Sequence, residues 1–162
     1  PGAGTATLQG NGEIDTVVSG TNGFGRYPIS GVNYWEVAST IGGFTIDFNF
    51  DVAAFGFYGI DVGDFQGVLT ATLSNGVNET YNIGHTVGAP GGSVLYWGII
   101  DTENTFTSLA FGNTGSGVDV FGFDDFSVGT PEQVVPAPEP ATLALMGLGL
   151  AGLGFARKRK SV

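Results

Sequence analysis

The 162-residue sequence contains no cysteine and only one histidine. Without cysteine the protein has no disulfides, no thiolate metal sites and no cysteine nucleophile. A nucleophile paired with histidine would have to use His85, which lies between TYNIG and TVGAPGG, with no GxSxG-type motif to supply the nucleophile. We therefore predict that the chain is not an enzyme.

Basic residues are almost absent from residues 1–135, which contain fourteen acidic residues and, on the basic side, only Arg26, for a net charge of −13. A surface of this sign repels phosphate backbones, so we expect no nucleic-acid binding. The charge favours divalent cations, or polysaccharides bridged by them, as partners. The alternative is that it only keeps an exported protein soluble.

Residues 5–128 lack a helical period and divide into short runs rich in Phe, Val, Ile, Thr and Tyr, separated by Gly, Asn and Pro. In residues 44–50, apolar side chains alternate with Thr, Asp and Asn, as in a strand with one buried face. Thirteen phenylalanines favour a packed core over low-complexity disorder. The predicted strands are 5–10, 15–20, 44–50, 53–61, 68–74, 80–84, 94–101, 106–112 and 121–128, with 33–37 as a further candidate.

The number of short strands predicts two antiparallel sheets packed face to face. Turn signals between them, such as SNG at residues 74–76 and PGG at residues 90–92, agree with this arrangement. We predict an all-β fold, a jelly-roll-type β-sandwich over residues 1–129, in preference to a closed barrel.

The last predicted strand, FGFDDFSV, changes its alternation in the middle. Its first two phenylalanines share one parity, whereas Phe126 and Val128 share the other, and the switch falls between Asp124 and Asp125. A β-bulge at that point would turn all four apolar side chains to the core and at least one Asp outward. The alternative is a strand buried on both faces.

Four aspartates are candidate calcium ligands, because carboxylate and carbonyl oxygens are the ligands that calcium takes. Asp61 and Asp64 lie at a strand end and in the glycine-containing loop after it, and Asp124 and Asp125 lie in the last strand. Their spacing falls short of a full calcium-loop signature. In a regular strand Asp124 and Asp125 point to opposite faces, which makes them a poor catalytic pair unless the bulge brings them together.

Four aromatic residues are candidates for stacking on sugar rings: Tyr34, Trp35, Tyr96 and Trp97. The alternative for each is packing in the core or across strands. The sequence alone leaves both interpretations open.

The C-terminal part of the chain differs from the rest. Residues 130–140, TPEQVVPAPEP, hold four of the seven prolines and predict an extended linker. Residues 141–156 are uncharged and as a helix would reach about 24 Å, short against a hydrocarbon layer of about 30 Å. A basic cluster follows: Arg157, Lys158, Arg159 and Lys160. Residues 141–162 are predicted to be a single short hydrophobic helix with a basic tail that stays cytoplasmic, while the β-domain lies outside.

Pro138, Glu139 and Pro140, followed by the apolar run and the basic cluster, resemble the PEP-CTERM sorting signal of Gram-negative bacteria. The resemblance implies that exosortase, an integral membrane protease, recognises the motif, removes the tail and passes the domain outward. It implies transient residence in the inner membrane, a final place at the cell surface or outside the cell, and association with exopolysaccharide or biofilm. A permanent membrane anchor is the alternative for the tail.

The start at Pro1, without Met or an apolar leader, is expected if a signal peptide has been removed or if the sequence is a fragment. We predict a non-enzymatic exported protein of the extracellular matrix that binds polysaccharide with the help of calcium. One alternative is an extracellular glycan hydrolase, which needs two carboxylates in one cleft. Another is a structural surface or adhesion subunit whose sheet edges pair between molecules.

Overall fold

The structure is a computed structural model, and it describes residues 4–10, 12–38, 43–62, 69–74, 76, 78–84, 91–113, 120–134 and 145–150. These residues form ten β-strands, one short helix near the end of the domain, and a second helical segment at residues 145–150. The strands are β1 (Ala6–Gly10), β2 (Glu13–Thr16), β3 (Asn33–Ala38), β4 (Phe44–Val52), β5 (Ala54–Ile60), β6 (Leu69–Leu73), β7 (Thr80–Ile83), β8 (Val94–Ile100), β9 (Phe106–Asn113) and β10 (Val120–Gly129).

The strands form two five-stranded antiparallel sheets. Sheet 1 has the order β1-β4-β9-β6-β7, and sheet 2 has the order β2-β3-β10-β5-β8. From β3 onward the pairs are nested, β3 with β10, β4 with β9, β5 with β8 and β6 with β7. From β3 to β10 the chain therefore folds as one long hairpin, and its successive strand pairs alternate between the two sheets. This is the topology of a jelly roll, and the predicted all-β sandwich is confirmed.

The core between the sheets is built largely from phenylalanine. On β4, Phe44, Ile46 and Phe48 are buried, as the alternation in the sequence predicts. Phe44 stacks on Phe111 of β9 with ring centroids 4.4 Å apart, and Phe57 of β5 meets the same ring edge-on at 5.2 Å. Burying one such side chain stabilises the fold by about 1.5–3 kcal/mol relative to leaving it exposed.

The β-bulge predicted in the last strand is confirmed by the pairing of β10 with β5. Asp124 pairs with Tyr58, whereas Ser127 pairs with Gly56, so β10 has one more residue than its partner at this point. Asp125 has a φ of 48°, in the left-handed region. Because Asp tolerates this region better than most residues, it suits the bulge.

The bulge restores the common direction of the apolar side chains of β10. Phe121 and Phe123 are buried, and Phe126 packs against the same core. Val128 lies opposite Phe55 and so shares their face, but it is 37% exposed because it lies at the end of the sandwich.

Two predictions about secondary structure need correction. The strand predicted at residues 15–20 ends at Thr16, and the following residues leave the sheet in bends. The extended linker predicted from residue 130 begins instead with the helical turn α1 (Pro131–Val134). The backbone N–H of Thr130 donates to the Gln133 Oε1 at 2.8 Å, and Pro131 occupies the first helical position, which together favour a helix start.

The predicted sorting helix is described only at residues 145–150, which are helical and exposed. Pro138, Glu139, Pro140 and the basic cluster from Arg157 to Lys160 lie outside the described residues. Among the helices that the structure describes, none is long and apolar enough to cross a membrane.

Candidate ligand-binding site

The outer face of sheet 2 contains a groove at the end where β5, β8 and β10 meet α1. Its volume is about 640 Å³. β5 contributes Ala54 and Gly56, β8 contributes Tyr96 and Gly98, and Gln133 of α1 lies on the opposite side. None of the described residues that line the groove carries a charge.

One wall of the groove is the edge strand β8, whose side chains alternate between core and solvent. Leu95, Trp97 and Ile99 pack against the core. The side chains on the other face of the strand are apolar yet exposed, with Tyr96 at 58% and Ile100 at 68%. An apolar row on an outer face is the pattern expected of a binding surface.

The Tyr96 ring extends from β8 across β5, and glycine makes this possible. A Cβ atom on Gly56 would lie 2.3 Å from the Tyr96 hydroxyl oxygen and 3.0 Å from Cζ. On its other flank the ring packs against Tyr58, with centroids 5.0 Å apart. The ring therefore lies low over Gly56 and Gly98, which form the glycine floor of the groove. Tyr96 as a residue is still more than half exposed to solvent.

The other end of this outer face is covered by residues 17–32, the loop between β2 and β3. Arg26 in this loop is only 7% exposed. Its Nε donates to Glu36 Oε2 at 2.8 Å, and its Nη1 donates to Asp61 Oδ2 at 3.3 Å and to the carbonyl oxygen of Val120 at 3.3 Å. We call the polar residues joined here the Arg26 cluster: Asp15, Asn22, Arg26, Tyr34, Glu36 and Asp61.

Tyr34 links two carboxylates of the Arg26 cluster. Its hydroxyl oxygen lies 2.7 Å from Asp15 Oδ2 and 2.8 Å from Glu36 Oε2, and it accepts a hydrogen bond from the Asn22 amide at 3.0 Å. Burial, with two carboxylates within hydrogen-bond distance of its single O–H, raises the pKa of Tyr34 above its ordinary value. The hydrogen bond from Tyr34 holds the pKa of Asp15 below its ordinary value.

Each candidate calcium ligand that the structure describes already accepts hydrogen bonds from the protein. Asp61 accepts from Arg26 and from the Gly92 N–H at 2.7 Å. Asp124 accepts from the N–H groups of Ile29 and Ser30 at 2.7 and 3.0 Å, and Asp125 accepts from the Ser30 hydroxyl. Asp64 lies outside the described residues. Within them, no group of three or more His, Cys, Asp or Glu side chains is placed to hold a metal ion, so calcium binding stays a prediction.

The four aromatic candidates have different environments. Tyr34 is 3% exposed inside the Arg26 cluster, so its ring has no open face for a sugar. Trp35 and Trp97 are half-buried against the core. Tyr96 is the one of the four with an exposed ring.

Sequence reasoning missed Arg26, Gly56 and Gln133 as residues that shape this face. Arg26 could have been singled out from the sequence, because it is the one Arg or Lys in a strongly acidic domain. Gly56 and Gln133 carried no such signal, because their roles depend on the pairing of β5 with β8 and on the helical turn after β10.

Three comparisons with known proteins bear on the chain. A family model described as the PEP-CTERM protein-sorting motif matches residues 136–160. No curated protein matches the chain significantly. Among solved structures, the chain is similar to the enzymatically active domain of tailspike protein 4 of bacteriophage CBA120, with a TM-score of 0.37 and 12% sequence identity. That match covers 78% of this chain and 19% of the other, so the chain spans about a fifth of the matched structure.

The match at residues 136–160 confirms the family resemblance predicted for the tail. PEP-CTERM motifs are recognised by exosortase. Residues 136–160 are thus a PEP-CTERM sorting segment, and the chain that carries it is an exported protein targeted to exosortase.

Proposed function

We propose that the β-domain binds polysaccharide of the extracellular matrix without catalysing a reaction, and that the groove around Tyr96 is its binding site. The observation that supports this most is the exposed Tyr96 ring, which rests on the glycine floor in an uncharged groove. The export that the sorting segment indicates would bring this surface to the matrix polysaccharide.

A sugar ring has one face of C–H groups, and stacking that face on Tyr96 removes apolar surface from water. Gln133 and Ser127 supply polar side chains to the same groove. An apolar platform with a few polar groups around it is typical of small-molecule sites, in which the polar groups orient the ligand. A polysaccharide can lie along such an open groove, with one sugar unit over the ring.

The absence of catalysis is part of the proposal. A glycosidase of the usual kind places two carboxylates across the scissile bond, about 5 Å or 6.5–9.5 Å apart. Asp15 and Glu36 do converge, but they bind Tyr34 and Arg26 in the Arg26 cluster. The described lining of the groove contains no carboxylate.

We further propose the route by which the domain reaches the matrix. Exosortase recognises Pro138, Glu139 and Pro140, while the basic cluster keeps the C-terminus on the cytoplasmic side. Removal of the tail then releases the domain to the surface or beyond it, where it associates with exopolysaccharide and biofilm. In this route the inner membrane is a transient partner.

The proposal is tested by sedimentation of the full chain, kept in a non-ionic detergent, with insoluble cellulose, curdlan, chitin and calcium-alginate beads. We expect retention on at least one of them, loss of retention in Tyr96→Ala, and no soluble reducing ends released during incubation. Phe24→Ala is the matched control, because Phe24 is an aromatic residue that is 75% exposed in the loop between β2 and β3. No retention on any polymer, with association that rises with protein concentration instead, would favour a structural subunit.

A further inference from the structure

We propose that the groove takes an uncharged glycan, a chain of neutral sugars, and discriminates against polyuronates and other anionic polysaccharides. This inference rests on the proposed function, because it names the class of ligand for the same groove. It follows from the charges around the groove and from the position of Arg26, the only Arg or Lys in the domain.

The groove offers no counterion for an acidic sugar. Its described lining residues are all uncharged. Two charged residues are sequence neighbours of the lining residues, and both are acidic. Asp101 comes directly after Ile100, the last residue of β8, and Glu132 comes directly before Gln133 in α1. Among the described residues that line the groove or adjoin that lining in the chain, the only charged groups near a uronate would therefore be carboxylates.

Hydrogen bonds also favour the ionised form of these two carboxylates. Backbone N–H groups of Asn104 and Glu103 hold the pKa of Asp101 below its ordinary value. A hydrogen bond with Thr130 holds the pKa of Glu132 below its ordinary value. The same hydrogen bonds therefore favour repulsion of an anionic ligand.

Arg26, the one Arg or Lys of residues 1–135, is not available to a ligand. Arg26 is 7% exposed, and its guanidinium is bound to Glu36, Asp61 and the carbonyl oxygen of Val120. Recognition of carboxylate or sulfate groups in proteins normally uses Arg or Lys in a paired geometry. Arg26 cannot bind a carboxylate or sulfate group of a ligand in this way, because its guanidinium is already paired with protein carboxylates.

The shape of the groove agrees with a neutral ligand. Gly56 keeps the Tyr96 ring low, so its outward face forms a flat platform beside Gly98 rather than a pocket around a charged group. Stacking on such a platform uses the C–H face of a sugar and needs no charge. Affinity for the ligand is therefore expected to change little with salt, because no ion pair is formed.

The test is affinity electrophoresis of the full chain in non-ionic detergent, through gels that contain one soluble polymer each. Dextran, laminarin, hydroxyethylcellulose and galactomannan are the neutral probes, and alginate and polygalacturonate are the anionic ones. Each gel is run with a chelator and again with calcium. Tyr96→Ala and the control Phe24→Ala are run beside the unchanged chain, and their urea unfolding midpoints are compared to show that both remain folded.

We expect at least one neutral polymer to slow the unchanged chain and Phe24→Ala equally, with an apparent affinity about tenfold lower in Tyr96→Ala. Neither anionic polymer is expected to slow the unchanged chain more than it slows Tyr96→Ala in chelator, since any binding through the basic cluster from Arg157 to Lys160 is common to both. Tyr96-dependent binding to an anionic polymer, with or without calcium, would overturn this inference and leave the proposed function standing. Binding to the neutral polymers that does not depend on Tyr96 would overturn the inference too. Failure of all polymers to slow the chain would overturn both.

Discussion

The two ends of the outer face of sheet 2 have the same kind of strands beneath them and differ in what covers them. At one end the loop of residues 17–32 lies over the sheet, and Tyr34 is 3% exposed. At the other end no described segment lies over Tyr96, which is 58% exposed. Two tyrosines that point out of the same sheet therefore have opposite roles, one structural and one available to a ligand.

The difference arises from where the charges lie. The covered end contains the three carboxylates of the Arg26 cluster, and they are held there because Arg26, Tyr34 and backbone N–H groups satisfy them. A buried charge is tolerated only when it is paired and hydrogen-bonded. The open end has no charge in its described lining and needs no such partners. Arg26, the one Arg or Lys of the domain, thus stabilises the covered end of the sheet, and the other end stays open.

The largest effect is expected from Arg26→Met, which removes the cation of the covered end. Asp61 is 2% exposed and would lose its ionic partner, as would Glu36. We expect the free energy of unfolding to fall by about 3–5 kcal/mol, as is usual when one member of a buried pair is removed. Urea unfolding followed by tryptophan fluorescence measures this change.

The second substitution Asp61→Asn in the Arg26→Met background provides the control for Arg26. Removing the unpaired charge should recover part of the lost stability, since the pair is then replaced by neutral groups. A loss below about 1 kcal/mol for Arg26→Met alone would mean that the pair behaves like a surface salt bridge. In that case the Arg26 cluster would not be what closes this end of the sheet.

A smaller loss is expected from Asp124→Ala, which releases the loop at its other attachment to the sheet. Asp124 accepts from the N–H groups of Ile29 and Ser30, so its removal leaves both donors without this acceptor. We expect a loss of about 2 kcal/mol in the free energy of unfolding. Asp51→Ala is the matched control, because Asp51 is exposed on β4, and it should change stability by less than about 0.5 kcal/mol. Equal effects of the two substitutions would contradict the anchoring role of Asp124.

The sequence predicted the parts of the fold that depend on local alternation. The period of residues 44–50 gave the buried side of β4, and the change of parity in β10 gave the bulge at Asp124 and Asp125. Both patterns are visible in a single strand because successive side chains point to opposite faces. The sorting segment was equally local, since its three parts follow one another in the chain.

Tyr96 was among the predicted stacking residues, but the rest of the candidate site could not be predicted because it depends on contacts between distant residues. Arg26 donates a hydrogen bond to Asp61, 35 residues away in the sequence, and the Ile29 N–H donates one to Asp124, 95 residues away. Val17 and Val18 continue a strand-like pattern, yet the chain leaves the sheet after Thr16 and covers Tyr34. Only this long-range anchoring decides which outward tyrosine is buried.

A pH-dependent difference between the two ends is expected from Tyr34. Its pKa is raised in the folded state, so its contribution to stability is complete below the ordinary tyrosine pKa of about 10 and is lost as pH rises through the higher folded value. Tyr34→Phe should lower the free energy of unfolding by about 1 kcal/mol at neutral pH and flatten its decline above pH 10. Urea unfolding at a series of alkaline pH values measures both.

Tyr81→Phe is the comparison for Tyr34. The hydrogen bond to Glu79 raises the pKa of Tyr81 to about 12, but this residue lies on β7, away from the covered end. Both variants remove a tyrosine with a raised pKa, so a general alkaline effect would appear in each of them. Identical pH profiles for the two variants would show that the decline does not come from the Arg26 cluster.

The smallest change in stability is expected from Gly56→Ala, which alters the open end alone. The added Cβ would lie 2.3 Å from the Tyr96 hydroxyl oxygen, and because this oxygen is at the far end of a flexible side chain, the ring can move away. We expect the free energy of unfolding to change by less than about 1 kcal/mol. Binding to the neutral polymer should nevertheless fall toward the level of Tyr96→Ala, because the ring no longer lies flat. In Gly98→Ala the added Cβ lies at least 3.4 Å from the ring, so binding should fall less. If both glycine variants bind like the unchanged chain in affinity electrophoresis, the position of the ring over Gly56 does not matter for the ligand.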